Sequence, residues 1–213
     1  MLEKIIPFQC FTREGPIQVD HWEITLEETA FAQGFGARRK AEFFTGRSYA
    51  RQALKKANQI LPSLLPNSDR SPNWPLGIVG SISHTRDYCG VVLADQNHFR
   101  GLGLDIEVIG RITPEISSKV FLDKEWDLLT SGSPSQRREG MAAIFSAKES
   151  FYKMQFPLTK GWVGFQDVSV RLEPEGRFLL SLEKDLNKEF LQGRAFAGNY
   201  TVFDSKVATL MVI

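Results

Sequence analysis

The fold is decided at Gly101-Leu102-Gly103-Leu104-Asp105-Ile106-Glu107, which has the alternating pattern of a β-strand. The leucines and the isoleucine face one side of such a strand, and the glycines and both acids face the other. The glycines clear their side of bulk, so a ligand can approach the strand closely. Two neighbouring carboxylates repel each other unless a cation lies between them, and such hard oxygen ligands suit magnesium. Two solvated acids at a strand end would show the same pattern, so this segment leaves both interpretations open.

A second motif lies on a helix predicted from about Glu139 to Gln155. Residues three and four apart share a face of a helix. The apolar stripe consists of Ile144, Ala147, Phe151 and Met154. The opposite face carries Ser146, Glu149 and Lys153. The glutamate and the lysine also fit an ordinary surface ion pair, which contributes about 0.3–0.5 kcal/mol.

Candidate anion-binding residues lie nearer the N-terminus. The segment Gly80–Thr85 ends a predicted strand with Ser83 and His84. Hydroxyls, backbone N–H groups and an imidazole at a strand end can form a phosphate pocket. A serine–histidine dyad is not expected, because adjacent strand residues point apart. A basic segment precedes this strand and contains one acid, Glu42; its basic residues are Arg38, Arg39, Lys40, Arg47, Arg51, Lys55 and Lys56.

The bulk composition is that of an ordinary globular protein. The chain has 213 residues and a net charge of +1, which gives no reason to expect nucleic acid or a membrane surface as a partner. Its two cysteines are too few for a disulfide framework or a structural zinc site. The N-terminus lacks the pattern of a signal peptide, and no run approaches the roughly 20 apolar residues of a membrane span. We therefore expect a cytoplasmic protein.

The predicted elements follow the order helix then strands, twice. The first helix covers about Ala37–Gln59, and a proline-rich loop covers about 61–77. The later elements are strands at Ile78–Ser83, Tyr88–Asp95 and Gly101–Val108, helical regions near Pro114 and at 139–155, and the hairpins Val168–Leu172 with Phe178–Leu182 and Ala195–Phe203 with Val207–Ile213. This order predicts an α+β fold of two similar halves, residues 1–103 and 104–213.

Taken together, the motifs resemble the 4′-phosphopantetheinyl transferases, specifically the monomeric type that serves siderophore, peptide and polyketide synthases. The resemblance spans about residues 38 to 168 and rests on the following segments: Arg39, Arg47-x-x-Ala50-Arg51, Trp74-Pro75-x-Gly77-x-x-Gly80-Ser81-Ile82-Ser83-His84, Gly103–Glu107, Phe145–Lys153, Pro157–Trp162 and Gly164–Asp167. The family fold is a pseudo-twofold pair of α+β halves with the active site in the cleft between them, and the length favours the monomeric type.

The resemblance implies a reaction and a set of site residues. The 4′-phosphopantetheine arm of coenzyme A would move to a serine of an apo acyl or peptidyl carrier protein, leaving adenosine 3′,5′-bisphosphate. Asp105, Glu107 and Glu149 match the family's ligands for Mg²⁺, with Mn²⁺ as an alternative. Lys153 matches a catalytic lysine that reaches the same phosphates. Four residues match those that hold the nucleotide and its 3′-phosphate: Arg39, Arg47, Ser83 and His84.

Two roles stay open in the sequence. For the general base we consider Glu149, or a water that it orients, first and Glu125 second. Many relatives carry a phosphate-binding lysine just before the loop that contains Arg70. This chain has no lysine there, and Arg70 could take its place. For the carrier protein, the segment Ile112–Trp126 is the expected docking region.

Two other functions compete with the transferase. A metal-dependent nuclease also uses acids and lysines, but such sites usually place the glutamate and lysine two apart on a strand. Here Lys148, Glu149 and Lys153 lie on a predicted helix, and no broad basic and aromatic surface for DNA is evident. A non-catalytic nucleotide- or carrier-binding module is the other alternative, although it would have no need of a metal cluster.

Overall fold

A computed structural model describes residues 1–60 and 63–213, and the side chains of all of these except residues 114 and 115. The predicted loop at 61–77 therefore has its first two residues outside the described chain. The strands are Cys10–Pro16 (β1), Ile78–His84 (β2), Tyr88–Asp95 (β3), Leu102–Val108 (β4), Val168–Glu173 (β5), Arg177–Leu182 (β6), Ala195–Phe203 (β7) and Lys206–Val212 (β8). The helices are Leu26–Phe31 (α1), Ala37–Lys56 (α2), Pro114–Val120 (α3), Asp123–Thr130 (α4) and Pro134–Thr159 (α5).

The strands form two antiparallel sheets. The first has the order β1-β3-β2, and the second has the order β4-β8-β7-β6-β5. Helix α2 packs on the first sheet, where Tyr49, Ala50 and Leu54 are buried against Val91 and Leu93. Helix α5 crosses the second sheet and packs on the core that β5, β6 and β8 provide. The α+β class predicted from the sequence is therefore confirmed.

Strand β4 joins the two sheets. Its apolar side chains pack against residues of β3 and β8 in one continuous core: Leu102, Leu104 and Ile106 against Val92, Ala94, Ala208 and Leu210. The predicted direction of the apolar face is correct, and that face is buried between the sheets. The division into two similar halves at residues 103 and 104 stays a prediction, and the described core is continuous across that boundary.

The glycine face of β4 meets α5 and not a ligand. A Cβ atom on Gly101 would lie 2.7 Å from the carbonyl oxygen of Met154. A Cβ on Gly103 would overlap the carbonyl oxygen of Ser150 and lie 2.8 Å from the amide nitrogen of Met154. The expectation that these glycines let a ligand approach is therefore wrong. They let the helix backbone pack directly on the strand, and the two acids continue the same face beyond the helix contact.

Most predicted elements occur, with differences at their ends. Helix α5 begins at Pro134 rather than near Glu139, because Ser133 and Gln136 form a capping box before it. The helical region near Pro114 consists of two short helices, α3 and α4. Strand β1 and helix α1 were not predicted. Among the described residues, no helix is both long and apolar enough to cross a membrane.

Candidate active site

Three elements meet at one polar cluster: the end of β2, the middle of β4 and the C-terminal half of α5. The Lys153 ammonium from α5 lies 2.7 Å from Asp105 Oδ1 on β4 and 3.0 Å from the carbonyl oxygen of Leu104. It also lies 3.3 Å from Ser83 Oγ at the end of β2. Asp105 and Ser83 are buried, whereas the Lys153 side chain is 29% exposed. The structure thus brings together residues that are 22 to 70 positions apart in the chain.

The Ser83 hydroxyl orients the aspartate. It donates to Asp105 Oδ1 at 3.0 Å and accepts the backbone N–H of Ile106 at 3.1 Å. Both bonds join Ser83, at the end of β2, to β4, so the two strands are connected directly beside the Asp105 carboxylate. Ser83 is therefore placed to position Asp105 and Lys153. Its predicted contact with a nucleotide stays a prediction.

The second oxygen of Asp105 has an unusual environment. Asp105 Oδ2 is buried, and no hydrogen-bond donor reaches it in the part of the chain that the structure describes. A buried carboxylate oxygen without a donor carries a substantial desolvation cost, so such atoms usually have a bound ion, a water or a substrate as partner. This atom is therefore an unsatisfied acceptor at the centre of the cluster.

The two glutamates are perturbed in the same direction. Burial raises the pKa of Glu107, and the neighbouring charge of Asp105 raises it further, while Arg111 lowers it. Burial likewise raises the pKa of Glu149, and Asp105 adds to this, while Lys153 lowers it. Both glutamates therefore sense the charge of Asp105, and the three acids form one electrostatic unit.

The donor chemistry of this unit fits a divalent cation. Three carboxylates, one with an unpartnered oxygen and two with raised pKa values, would all be stabilised by a positive charge between them. As the side chains stand, however, no three acidic, histidine or cysteine side chains of the described chain are grouped closely enough to hold a metal. The Lys153 ammonium on Asp105 and the Arg111 guanidinium, 3.3 Å from both oxygens of Glu107, supply the positive charge instead.

The predicted nucleotide residues Arg39 and His84 are in contact. Arg39 Nη1 lies 3.3 Å from His84 Nε2, and His84 Nδ1 lies 3.4 Å from the carbonyl oxygen of Thr85. The geometry fits a neutral ring that donates from Nδ1 and accepts at Nε2. Burial lowers the pKa of His84, and the charge of Arg39 contributes to this, although Glu42 opposes it. Arg39 is 58% exposed, so the pair presents one cation at the rim of the site.

Arg47 is placed differently from the expectation for a basic surface of α2. It is 9% exposed, its Nε donates to the carbonyl oxygen of Leu64 at 3.0 Å, and its guanidinium lies 4.0 Å from the centre of the Phe43 ring. Burial lowers its pKa to about 10. The helical spacing alone suggested a separate basic face, but α1 and the segment at Leu64 cover this part of the helix.

Lys148 and Glu125 form a buried ion pair that the sequence did not indicate. Lys148 Nζ lies 2.7 Å from Glu125 Oε2, and both side chains are 1% exposed. The ammonium also donates to the carbonyl oxygens of Val120 and Phe165, and the carboxylate accepts from the backbone of Val170. With its donors and acceptors used in this way, Glu125 links α4, α5 and β5 and is not placed to act as the general base.

Two family models match this chain. A model described as the 4′-phosphopantetheinyl transferase N-terminal domain matches residues 27–94. A second model, described as the 4′-phosphopantetheinyl transferase superfamily, matches residues 101–204. Together the two matches cover most of the chain, which therefore belongs to the 4′-phosphopantetheinyl transferase superfamily.

The relatives include proteins named 4′-phosphopantetheinyl transferase. The chain is 32% identical to 4′-phosphopantetheinyl transferase Svp of Streptomyces mobaraensis over 82% of this chain and 73% of that protein. It is 32% identical to 4′-phosphopantetheinyl transferase PptT of Mycobacterium tuberculosis over 67% of this chain and 65% of that protein. The match therefore spans slightly less than two thirds of the length of PptT. Enterobactin synthase component D of Salmonella typhimurium is 32% identical over 55% of this chain and 49% of that protein. These names favour neither the nuclease nor the binding module.

Proposed function

We propose that this protein transfers the 4′-phosphopantetheine arm of coenzyme A to a serine hydroxyl of an acyl or peptidyl carrier protein. The serine oxygen forms a bond to the β-phosphorus of the pyrophosphate, the bond between that phosphorus and the bridging oxygen breaks, and adenosine 3′,5′-bisphosphate leaves. Family membership supports this reaction class. The observation that carries the proposal is the buried Asp105 carboxylate, held by Lys153 and Ser83 with its second oxygen unpartnered.

Asp105, Glu107 and Glu149 would hold the Mg²⁺ ion, or Mn²⁺ in its place. When bound, this cation would offset the charge that develops on the transferred and leaving phosphates. Glu107 and Glu149 would turn their side chains towards Asp105 to complete the ligand set, and the charge of Asp105 already raises the pKa of both. The raised pKa values of the two glutamates in the absence of metal are the expected property of ligands that await a cation.

Lys153 binds the pyrophosphate in this proposal. Its ammonium ends a flexible stem and is partly exposed, so it would exchange its contact with Asp105 for a phosphate oxygen when a cation neutralises that aspartate. Arg39, Arg47 and His84 hold the nucleotide and its 3′-phosphate in this proposal, with Arg39 at the exposed rim of the site and Arg47 buried. Arg70 is exposed on the loop beside Asp69 and would supply the phosphate contact that a lysine makes in many relatives.

Glu149 is our candidate for the proton acceptor, either directly or through a water that it orients. A base must accept a proton near neutral pH, and a carboxylate whose pKa burial has raised does so better than an ordinary one. Glu125 is unsuited to this role, because its carboxylate is fully engaged with Lys148 and backbone N–H groups.

The carrier would dock on the segment Ile112–Trp126. In the structure this segment comprises α3 and the start of α4, and its outer side exposes Ile116, Lys119 and Lys124. An apolar residue flanked by two lysines suits an acidic, amphipathic carrier helix. We place the protein in the cytoplasm as a monomer, acting in siderophore or other secondary-metabolite synthesis, with no nucleic acid or membrane partner.

The test uses the full chain with coenzyme A, Mg²⁺ and a panel of apo carrier proteins. Mass spectrometry should show a carrier that gains the mass of one phosphopantetheine arm, together with release of adenosine 3′,5′-bisphosphate. Binding of coenzyme A without any gain in carrier mass would identify a binding module and refute the proposed reaction.

A pair of variants on α5 sharpens this test. Glu149→Ala should abolish transfer and leave the unfolding temperature nearly unchanged, since burial already disfavours its charged form. Glu139→Ala is the matched control, because Glu139 lies ten residues earlier on the same helix, about 15 Å away along its axis. Full transfer by the Glu149 variant would remove this residue from the mechanism.

A further inference from the structure

Helix α1 contributes a glutamate that is fully buried. Glu28 has 0% exposure, and its carboxylate accepts three hydrogen bonds. Oε2 accepts the backbone N–H of Thr25 at 2.9 Å, while Oε1 accepts the Arg51 guanidinium at 2.8 Å and the backbone N–H of Leu64 at 2.7 Å. The Thr25 bond is half of a helix capping box, and this is the only role that the sequence pattern indicates. The other two bonds reach 23 and 36 positions along the chain.

The peptide groups of Leu64 are held from both sides. The N–H of Leu64 donates to Glu28, and the carbonyl oxygen of the same residue accepts from Arg47 Nε at 3.0 Å. The Leu64 side chain is fully buried in the core beneath α2. A displacement of Glu28 would therefore move Leu64, and a displacement of Leu64 would break the hydrogen bond that holds the Arg47 guanidinium.

Charge also connects the two residues. The negative charge of Glu28 favours the protonated form of Arg47, whereas the charges of Arg39 and Arg51 oppose it. The guanidinium of Arg47 is held on the Phe43 ring by this combination of stacking, charge and one hydrogen bond. A planar guanidinium fixed in this way is suited to bind a phosphate through two parallel bonds.

We propose that Glu28 is a positioning residue: through the Leu64 peptide it sets the orientation of Arg47 towards the 3′-phosphate of coenzyme A. Glu28 touches no substrate itself. The inference rests on the proposed function, since it takes from it that Arg47 holds the nucleotide. It adds that nucleotide recognition depends on a residue in α1, outside every motif that carries the family resemblance.

The test compares coenzyme A with 3′-dephospho-coenzyme A as ligands, using calorimetric titration of the full chain. The wild type should prefer coenzyme A, because one charge-assisted contact to the 3′-phosphate contributes about tenfold or more in affinity. Glu28→Gln should reduce this preference about tenfold by weakening binding of coenzyme A, while the affinity for the dephosphorylated ligand stays the same. A merely structural role would lower the folded fraction and leave the ratio of the two affinities unchanged.

The control is Glu23→Gln. Glu23 precedes α1 and pairs with Lys55 of α2 at 2.5 Å, but this pair is exposed and its carboxylate makes no contact with Leu64. Should Glu28→Gln fail to fold, the double variant Glu28→Leu with Arg51→Met removes the buried charges together and keeps the volume.

The outcomes separate the inference from the proposed function. A folded Glu28 variant that keeps the wild-type preference for coenzyme A overturns the inference alone. A wild type that binds neither ligand, or that does not distinguish them, overturns the assignment of Arg47 to the nucleotide and the inference with it. Loss of the preference in the Glu28 variants, with the Glu23 variant unchanged, supports the positioning role.

Discussion

The contact between Gly103 and α5 makes one prediction that joins stability to catalysis. A methyl group at Gly103 would overlap the carbonyl oxygen of Ser150 and lie 2.8 Å from Met154 N, although real Cβ atoms essentially never come within 3.0 Å of another heavy atom. The obstacle is helix backbone and cannot rotate away. Gly103→Ala therefore requires that α5 move off β4 by roughly 1 Å, the scale at which a misplaced group costs about 100-fold in rate.

Two opposing terms set the change in stability. Alanine is intrinsically better than glycine in a strand by about 0.5–1 kcal/mol, because glycine loses more conformational freedom on folding. Overpacking of a core costs about 1–3 kcal/mol and occasionally more, and the rigid backbone on both sides favours the upper end of this range. We expect a net loss of about 2 kcal/mol in the free energy of unfolding, together with a loss of transfer rate of about 100-fold.

Urea unfolding measures the first quantity, and transfer to an apo carrier protein by the folded variant measures the second. Gly34→Ala is the matched control, because a Cβ atom at Gly34 would meet nothing within 4 Å. It should leave transfer at the wild-type rate, and it should leave the free energy of unfolding unchanged or raise it by up to about 1 kcal/mol. A Gly103→Ala variant with an unchanged or higher free energy of unfolding, or with normal transfer, would show that the close contact between β4 and the backbone of α5 does not constrain the site.

Two further predictions concern the buried charges. Glu125→Gln should lower the free energy of unfolding by about 3–5 kcal/mol in urea titrations, because it leaves the Lys148 ammonium buried without its counter-charge. Glu183→Gln, which breaks an exposed ion pair with a lysine of α4, should cost at most about 1 kcal/mol; equal losses for both would contradict the role given to burial. The pKa values of Glu107 and Glu149 are raised above 4.5, the ordinary value for a glutamate, so protons compete with a metal for these carboxylates at a higher pH than usual. As the pH is lowered, divalent cation binding should therefore begin to weaken before the pH reaches 4.5. Titration with Mn²⁺ between pH 8 and pH 4.5 checks this, and an affinity that stays constant over the whole range would argue against these ligands.

The sequence determined the local features of the fold and of the site. Alternation in Gly101–Glu107 gave the correct strand and the correct buried face, and the apolar stripe of α5 is buried as predicted at Ile144, Ala147, Phe151 and Met154. Strand and helix periods are set by backbone geometry, so they can be read from residues a few positions apart. The missed start of α5 had a sequence signal too, namely the capping box from Ser133 to Gln136.

Only the tertiary structure decided which polar side chains are buried and with what partners. Ser146 was expected on the polar face of α5, yet it is fully buried and lies 2.9 Å from Thr209 Oγ1, because the helix is covered on more than one side. Lys148 and Glu149 are adjacent in sequence, yet the lysine is buried against Glu125. The charge of Asp105 acts on the glutamate, whose pKa it raises. Such partners come from distant segments, and the desolvation that shifts their pKa values arises only when those segments pack together. The family could be inferred from the sequence. The packing of Gly101 and Gly103 against α5, the burial of Arg47 and the contacts of Glu28 could be seen only in the folded structure.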